Sequence, residues 1–221
     1  HWLIPQGLIA AGLSLFLRNS PKLLFTSHGA DLFGLQGRFF RKLKQWVLSK
    51  ADHTTVVSNA MREKVLELGI PANKVSVKSM GADLQQLFRI DKNLEKLRDP
   101  LKLIFVGRLV EKKGVNVLLE AFAKLVPSYP ELQLEIIGDG PERSELEALA
   151  NKLGLSNNVQ FVGQIENVNI PARLQQACIA VVPSVVALSG DQEGLGLVLV
   201  EALGCGCAVV ASDLPAIQDV I

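Results

Sequence analysis

Short apolar runs alternate with amphipathic stretches along most of the 221-residue chain. The apolar runs predict buried strands at residues 23–26, 54–57, 75–78, 101–106, 132–137, 159–162, 179–182 and 208–211. The stretches between them have the spacing of helices, at residues 37–50, 60–68, 115–126, 142–153, 171–177 and 197–203. Because strands that alternate with helices pair through right-handed βαβ units, the pattern predicts an α/β protein with parallel sheets.

The polar stretch at residues 83–100 interrupts this alternation and is the best position for a domain boundary. It divides the chain into a predicted domain at residues 1–90 and another at residues 91–221, and the length suffices for two small cores. The apolar segment at residues 2–17 is punctuated by Pro5, Gly7 and Gly12, and it is too short to cross a bilayer.

Charge is distributed unevenly, although the formal net charge is only +1. Residues 1–50 contain seven Lys and Arg side chains against the single acid Asp31, so the remaining residues are net acidic. This asymmetry predicts an anionic surface partner on the N-terminal side, and no nucleic-acid partner is expected.

Three cysteines stand in apolar surroundings, at Cys178, Cys205 and Cys207. The Cys-Gly-Cys sequence lacks the two-residue spacing of a metal or redox pair and has no histidine nearby. Buried reduced thiols are therefore expected, which fits a cytoplasmic protein.

A candidate anion site lies where Glu193, Gly194 and Gly196 precede the apolar helix predicted at 197–203. Glycine lets the backbone approach a ligand closely, and unpaired N–H groups at the start of a helix suit phosphate. With Glu193 beside the phosphate and Glu201 further along the helix, the pattern indicates a ligand with both phosphate and hydroxyl groups. The alternative is that both glutamates are solvated charges at the helix ends.

Two cations follow the strand predicted at 101–106. Arg108 directly follows Gly107, and Lys113 comes just before the next helix. Ligands of open parallel sheets bind at the carboxyl ends of the strands, and Arg and Lys suit phosphate. The alternative is a solvated loop.

Gly138-Asp139-Gly140 also follows a strand and opens a helix, as a dinucleotide fingerprint does. Arg143 occupies the place of the third glycine, and no acidic residue ends the next strand near Val162. A nicotinamide-dependent oxidoreductase is therefore the weaker hypothesis. The sequence also contains no Asp-x-Asp pair, so we expect no metal on the ligand's phosphates.

Several further motifs accompany these segments in a fixed order. They are His28-Gly29-Ala30-Asp31, Val56-Val57-Ser58, Met80-Gly81-Ala82-Asp83, Gly138-Asp139-Gly140-Pro141, Phe161-Val162-Gly163 and Pro183-Ser184. Each is weak alone, but together with Gly107-Arg108, Lys113 and the Glu193/Glu201 pair they resemble the retaining glycosyltransferases of family 4. The resemblance covers nearly the whole chain and implies the GT-B architecture of two Rossmann-like domains.

Relative to that family, the chain begins after the first strand and glycine-rich loop, and it stops before the closing strand and helices. The resemblance therefore implies an internal fragment in which both domains are incomplete. Residues 1–90 correspond to the acceptor-side domain and residues 91–221 to the nucleotide-sugar-binding domain.

The resemblance implies a hexosyltransferase that moves a sugar from a nucleoside diphosphate sugar to an acceptor hydroxyl with retained configuration. No cofactor or metal is expected. The implied catalytic residues are His28, which would face the transferred sugar, and Glu193, which would accept hydrogen bonds from its hydroxyls. The implied donor-binding residues are Gly107, Arg108, Lys113, Asp139, Gly140, Ile165, Glu193, Gly194, Leu195, Gly196, Leu197 and Glu201.

Within this set, Arg108 and Lys113 would hold the diphosphate, Ile165 would lie near the base and Glu201 would bind the ribose. For His28 a capping or core role is the alternative. The function expected is synthesis of bacterial surface polysaccharide or glycolipid. The alternatives are an inactive fragment that only binds donor nucleotide, and the oxidoreductase.

The helix predicted at 37–50 combines basic and apolar residues and has no acid. Its apolar residues 39, 43, 46 and 47 share one face, which we expect to pack on the N-terminal sheet. The basic residues spread over the rest of the helix, at Arg38, Arg41, Lys42, Lys44 and Lys50. They predict contact with an anionic membrane surface, beside a glycan or lipid-linked acceptor on the cytoplasmic face.

Overall fold

The computed structural model describes residues 1–19 and 21–221, apart from the side chains of residues 94 and 95. The chain forms two units. The N-terminal unit combines His1–Met80, Val186–Leu195 and Leu214–Ile221, and the C-terminal unit combines Gly81–Val185 and Gly196–Asp213. The boundary predicted at residue 90 falls inside the second of these units.

The N-terminal unit is built on a parallel sheet of strands β1 (Leu24–Ser27), β2 (His53–Val56) and β3 (Val75–Val77), in that order. Leu24 pairs with His53, and Thr54 pairs with Val75. The helices are α1 (Leu8–Ser14), α2 (Ala30–Phe33), α3 (Arg38–Ser49), α4 (Asn59–Glu67) and α10 (Pro215–Gln218), with a π-helical turn at Leu3–Gly7 and a 3₁₀ turn at Ala72–Lys74.

The local sequence explains where α4 starts and which of its faces is buried. Ser58 is in the extended conformation, and its hydroxyl accepts a hydrogen bond from the Met61 N–H at 3.3 Å, which caps the helix. Met61 and Val65, four residues apart, lie on one face and are fully buried. The core of this unit also includes Phe25, Val47 and Leu48.

Helix α3 differs from the prediction at two residues. Val47 is buried as expected, but Phe39 is 71% exposed, so its predicted place on the packed face is wrong. Lys44 is only 6% exposed, so its predicted place on the solvated basic face is also wrong. The Lys44 ammonium donates to the carbonyl oxygens of Leu32 at 2.6 Å and Gly34 at 2.5 Å. These carbonyls end the one-turn helix α2 and need a donor.

The C-terminal unit contains a five-stranded parallel sheet with the order β6-β5-β4-β7-β8. Its strands are β4 (Asp99–Val106), β5 (Gln133–Ile137), β6 (Val159–Gly163), β7 (Ala177–Val182) and β8 (Ala208–Ala211). Its helices are α5 (Lys92–Glu95), α6 (Val115–Leu125), α7 (Arg143–Lys152), α8 (Ile170–Gln176) and α9 (Leu197–Gly204), with 3₁₀ turns at Glu111–Lys113 and Asn167–Asn169.

Two apolar clusters cover this sheet. One joins strand residues such as Ile136 to Phe122 of α6 and Leu146 of α7. The other joins Ile137 to Leu174 of α8 and Ala202 of α9. Ile136 and Ile137 are consecutive and point to opposite faces, so helices cover both faces of the sheet. This is a doubly wound Rossmann-like sheet, and its strand order reverses between β4 and β7.

Two of the three cysteines of the C-terminal unit are buried and structural. Cys178, Cys205 and Cys207 are free thiols, and the latter two are buried. Burial raises the pKa of Cys205 to about 12 and that of Cys207 to about 11. The Cys207 thiol donates to the Leu174 carbonyl oxygen at 2.8 Å. Both thiols therefore stay protonated at neutral pH and are not nucleophiles.

The α/β class with parallel sheets is confirmed, and each strand and helix predicted from the sequence is present with ends shifted by a few residues. The sequence pattern did not predict helix α1 or the one-turn helices α2, α5 and α10. Helices in the described part of the chain are all too short or too polar to cross a membrane.

Candidate functional site

Backbone hydrogen bonds connect the loops that follow β4, β5 and β6. The Gly107 N–H donates to the Ile137 carbonyl oxygen at 2.9 Å, and the Gly138 N–H donates to the Gly163 carbonyl oxygen at 2.8 Å. The Leu109 N–H donates to the Asp139 carbonyl oxygen at 2.9 Å. These bonds continue the sheet beyond its regular strands, and so they fix the backbone at the carboxyl edge of the sheet.

Glycine is required where these loops touch. A Cβ atom at Gly138 would lie 1.8 Å from the Gly107 carbonyl oxygen, and one at Gly140 would lie 2.2 Å from the Leu109 carbonyl oxygen. Gly138 also has a φ of +135°, which side-chain-bearing residues rarely adopt. The two glycines of the Gly138-Asp139-Gly140 motif therefore serve close packing between loops.

A cleft of about 360 Å³ opens at this edge of the C-terminal unit. Its apolar walls are Val106, Ile137, Ile165 and Ile170, and its polar side chains are Arg108, Asp139 and Gln164. The predicted residues Gly107, Arg108, Asp139 and Ile165 are thus brought together around one cleft. Apolar walls with a few polar groups are typical of a small-molecule site.

The turn that carries Lys113 is anchored to the loop after β7. Gly114 is left-handed, with a φ of +63°, and a Cβ atom there would lie 2.0 Å from the Pro183 carbonyl oxygen. The Val185 N–H donates to the Lys112 carbonyl oxygen at 2.9 Å. The Lys113 side chain passes Gly107, with its Cε 3.7 Å from where a Gly107 Cβ would lie. Lys113 therefore lies at the strand-order reversal between β4 and β7, where doubly wound sheets bind ligands, and the exposed Arg108 directly follows Gly107 at the same edge of the sheet.

Asp139 is held by its neighbours. One carboxylate oxygen accepts the Gly140 N–H at 2.7 Å, and the other lies 3.3 Å from the Arg143 guanidinium. Arg143 also pairs with Glu147 at 2.9 Å. Both Asp139 oxygens therefore stabilise the start of α7, and the side chain shapes the cleft from a fixed position.

Helix α9 begins at Leu197, directly after the cap residue Gly196, which is left-handed with a φ of 74°, and no acidic residue occupies its first turn. The positive end of the helix dipole is therefore not neutralised by an acidic side chain of α9 itself. Glu201 lies in the middle of the helix and is half-buried, and burial raises its pKa above the ordinary carboxyl value.

Arg98 fixes the other end of α9 and was missed in the sequence. Its guanidinium donates to the carbonyl oxygens of Cys205, at 3.0 Å, and Gly206, and through Nε to that of Gln175 at 3.3 Å. A basic residue in a polar stretch gives no sequence signal for this contact. Gln164 in the cleft was missed for the same reason, since it is one polar residue in a loop.

The remaining predicted residues belong to the N-terminal unit. Glu193, Gly194 and Leu195 lie in its segment Val186–Leu195, and His28 follows β1. The Gly194 backbone packs on the turn at His28, because a Cβ atom at Gly194 would lie 2.4 Å from the His28 carbonyl oxygen. His28 and the Glu193-Gly194 backbone are therefore close together.

The His28 ring stacks on His1 with ring centres 5.4 Å apart, and His28 Nε2 lies 3.1 Å from His1 Nδ1. Among the described residues, His28 Nδ1 is buried and has no hydrogen-bond partner. The next acidic residue, Asp31, is buried and accepts the Leu3 N–H and the Ser27 hydroxyl, both at 2.7 Å. Asp31 therefore fixes the turn on which His28 stands.

Two parallel α/β sheets, the larger of them with a cleft at its carboxyl edge, define the class of Rossmann-like proteins built from two units. The model of the family "Glycosyl transferases group 1" matches residues 88–221, and that of "Glycosyltransferase Family 4" matches residues 1–86. The chain belongs to the GT-B glycosyltransferases of the family 4 type.

Curated relatives and solved structures agree with this membership. The amylovoran biosynthesis glycosyltransferase AmsK of Erwinia amylovora is 33% identical over 165 residues, which cover 75% of this chain and 40% of the relative. The N-acetyl-alpha-D-glucosaminyl L-malate synthase of Bacillus anthracis is 26% identical over 227 residues, covering 100% of this chain and 57% of the relative. The chain spans about half the length of the curated relatives it matches.

The crystal structure of Anabaena Alr3699/HepE in complex with UDP and glucose has the same fold. Its TM-score is 0.81 at 23% identity, and the match covers 97% of this chain and 59% of that chain.

Proposed function

We propose that the protein is a retaining, metal-independent hexosyltransferase of bacterial surface polysaccharide or glycolipid synthesis. Its donor is a nucleoside diphosphate sugar and its acceptor is a hydroxyl of a glycan or lipid-linked sugar. The observation that carries the proposal is the position of two cations at the carboxyl end of β4, with Arg108 in the lining of the cleft and Lys113 beside Gly107. The relative AmsK is named for amylovoran biosynthesis, and Anabaena HepE was crystallised with UDP and glucose, which supports this donor class.

In the proposed mechanism the departing diphosphate is stabilised by fixed positive groups. Arg108 and Lys113 neutralise its charge together with the start of α9 around Gly196 and Leu197. Because two cationic side chains and a helix end serve this purpose, we propose that no divalent metal is needed. Ile165 and the apolar walls hold the base, and Glu201 accepts hydrogen bonds from the ribose.

The sugar end of the reaction is assigned to the N-terminal unit. Glu193 accepts hydrogen bonds from the donor sugar's hydroxyls, and His28 faces the transferred sugar. We assign no carboxylate as the nucleophile. We therefore propose that the acceptor hydroxyl attacks the anomeric carbon on the same face of the sugar from which the diphosphate departs. That route retains the configuration at the anomeric carbon.

Donor binding and turnover with and without metal test the proposal. We expect calorimetry to show binding of at least one of UDP, GDP and ADP, with unchanged affinity in excess EDTA. NMR should show that sugar released or transferred from the matching donor keeps its anomeric configuration. Nucleotide binding without any sugar release would favour a donor-binding protein. Loss of binding on chelation, or an inverted product, would contradict the mechanism.

Glu201 gives a pH-dependent prediction. Its carboxylate accepts strong, charge-assisted hydrogen bonds from the ribose hydroxyls only when ionised, because the protonated group is a weaker acceptor, and burial raises its pKa. Donor affinity should therefore fall as the pH drops through that raised pKa. Calorimetry of nucleoside diphosphate binding across a pH series checks this. Glu201→Gln is the control, because the ligand's phosphates titrate in the same way with both proteins. The same pH profile in wild type and Glu201→Gln would remove Glu201 from the site.

We also propose that α3 holds the protein on the cytoplasmic face of an anionic membrane. Arg38, Arg41 and Lys42 are exposed, and the exposed ring of Phe39 stands between them. Each cation near an anionic surface contributes about 1 kcal/mol, and an aromatic ring suits the interface. Lys44 is excluded from this contact by its burial.

Vesicle sedimentation measures this membrane contact. Binding to anionic vesicles should weaken with salt, and Arg41→Glu with Lys42→Glu should reduce it roughly tenfold or more. The control is Lys124→Glu with Lys152→Glu, which makes the same charge change at exposed residues of α6 and α7. Equal sedimentation of both double variants would leave α3 as an ordinary solvated helix.

A further inference from the structure

A second cleft of about 360 Å³ lies in the N-terminal unit, bordered by the end of α2, the start of α3 and the last turns of α4. We refer to it as the basic cleft. Its charged lining consists of Arg38, Arg41, Lys44, Lys64 and Glu67. Four cations therefore face one carboxylate, in a cleft separate from the one assigned to the donor.

Lys44 is the buried member of this set. Its ammonium carries three donors, and two of them go to the carbonyl oxygens of Leu32 and Gly34. In the described part of the chain it has no ion pair. Burial lowers the pKa of Lys44, attraction by Asp31 raises it, and repulsion by Lys64 lowers it again. A buried cation whose charge is only partly compensated favours an anion in the adjoining cleft.

Arg38 and Arg41 stand at the mouth of the basic cleft. They are three residues apart in the first turns of α3, so they lie on the same side of the helix. Both are exposed, and neither forms a hydrogen bond or ion pair through its side chain with another described residue. Two adjacent guanidinium groups offer planar forks of donors that match phosphate oxygens.

The single carboxylate of the basic cleft does not cancel this charge. Glu67 pairs with Lys64 at 2.9 Å, which leaves Arg38, Arg41 and Lys44 without an anionic partner in the lining. Phe33 and Leu35 supply apolar wall beside the cations. The lining is therefore suited to a phosphate group that carries an organic substituent.

We propose that the basic cleft is a binding site for a phosphate group, in which the two guanidinium groups of α3 hold the oxygens and the Lys44 ammonium lies beneath them. The phosphate can come from a lipid headgroup or from a free phosphate-bearing molecule. The site does not depend on the proposed transfer reaction. It also differs from the membrane contact, because it requires two particular arginines and not a number of charges.

Amide NMR of the ¹⁵N-labelled protein resolves this site from the donor cleft. Titrations with inorganic phosphate and with dihexanoyl phosphatidate should both shift resonances of residues 35–41 and 64–68. Arg38→Gln with Arg41→Gln should weaken this binding about tenfold or more, since it removes charge-assisted hydrogen bonds. Both side chains are exposed, so the variant should fold, and its spectrum shows this directly.

The matched control is Lys22→Gln with Lys78→Gln. It removes two charges from the same unit, at exposed residues that are neither in α3 nor among the described lining of the basic cleft. It should change phosphate affinity by less than about twofold, because exposed charges at a distance contribute little. Tighter binding of phosphatidate than of inorganic phosphate would assign the site to a lipid headgroup, and equal binding would assign it to a free phosphate. The absence of shifts at these residues with either ligand, or equal weakening in both double variants, would overturn the proposal.

Discussion

Replacement of Gly138 by alanine is expected to destabilise the protein by more than about 4 kcal/mol, a loss at the upper end for single substitutions. The added Cβ would lie 1.8 Å from the Gly107 carbonyl oxygen and 2.8 Å from its carbonyl carbon. Both are backbone atoms, and the Gly107 N–H is itself bonded to Ile137. Relief of the clash therefore requires separation of the loops that form the cleft.

Gly154→Ala is the matched control for this clash. Gly154 also has a positive φ, of +74°, but a Cβ atom there meets nothing within 4 Å. Its substitution should destabilise the protein only by the cost of holding alanine at a left-handed φ, about 1–2 kcal/mol. Urea denaturation of the two variants and the wild type measures the difference. Similar losses in both would show that the contact between the Gly107 and Gly138 loops does not stabilise the fold.

This contact marks how far the sequence predicted the fold. The alternation of apolar runs located the strands, because burial between two helical layers requires consecutive apolar residues, as in Ile136 and Ile137. The packing of one loop against another follows no periodic pattern in the sequence. The glycines of Gly138-Asp139-Gly140 were visible in the sequence, but the backbone that they admit, at Gly107 and Leu109, comes from another segment of the chain.

The same distinction holds for the candidate site. Arg108 and Lys113 could be predicted, because a strand followed by glycine and basic residues places cations at the carboxyl edge of a parallel sheet. Arg98 could not, because its partners Cys205 and Gly206 are distant in sequence and contribute only carbonyl oxygens. Lys44 follows the same reasoning. Helical spacing assigned it to the solvated side, whereas the unpaired carbonyls at the end of α2 draw it inward.

The second large effect is expected at the diphosphate. Charge-assisted hydrogen bonds contribute about 1.5–3 kcal/mol each, so Arg108→Ala and Lys113→Ala should each weaken nucleoside diphosphate binding about tenfold or more. Arg108 borders the cleft, and the Lys113 side chain passes Gly107 on the same edge of the sheet. Because both groups act on one diphosphate, the double variant measures the coupling between them. If the two contacts are independent, the double variant should lose about a hundredfold in affinity for the diphosphate.

Comparison of ligands separates this loss from general damage to the fold. The nucleoside alone carries no phosphate, so its affinity should be nearly unchanged in both variants while that of the diphosphate falls. Lys124→Ala provides the charge control, since it removes an exposed cation of the same unit on α6. Calorimetry with nucleoside, monophosphate and diphosphate should show a penalty that grows with the number of phosphates. A penalty of equal size for nucleoside and diphosphate would mean that Arg108 and Lys113 shape the cleft without contacting phosphate, and the charge of the leaving group would then have to be stabilised elsewhere in the protein.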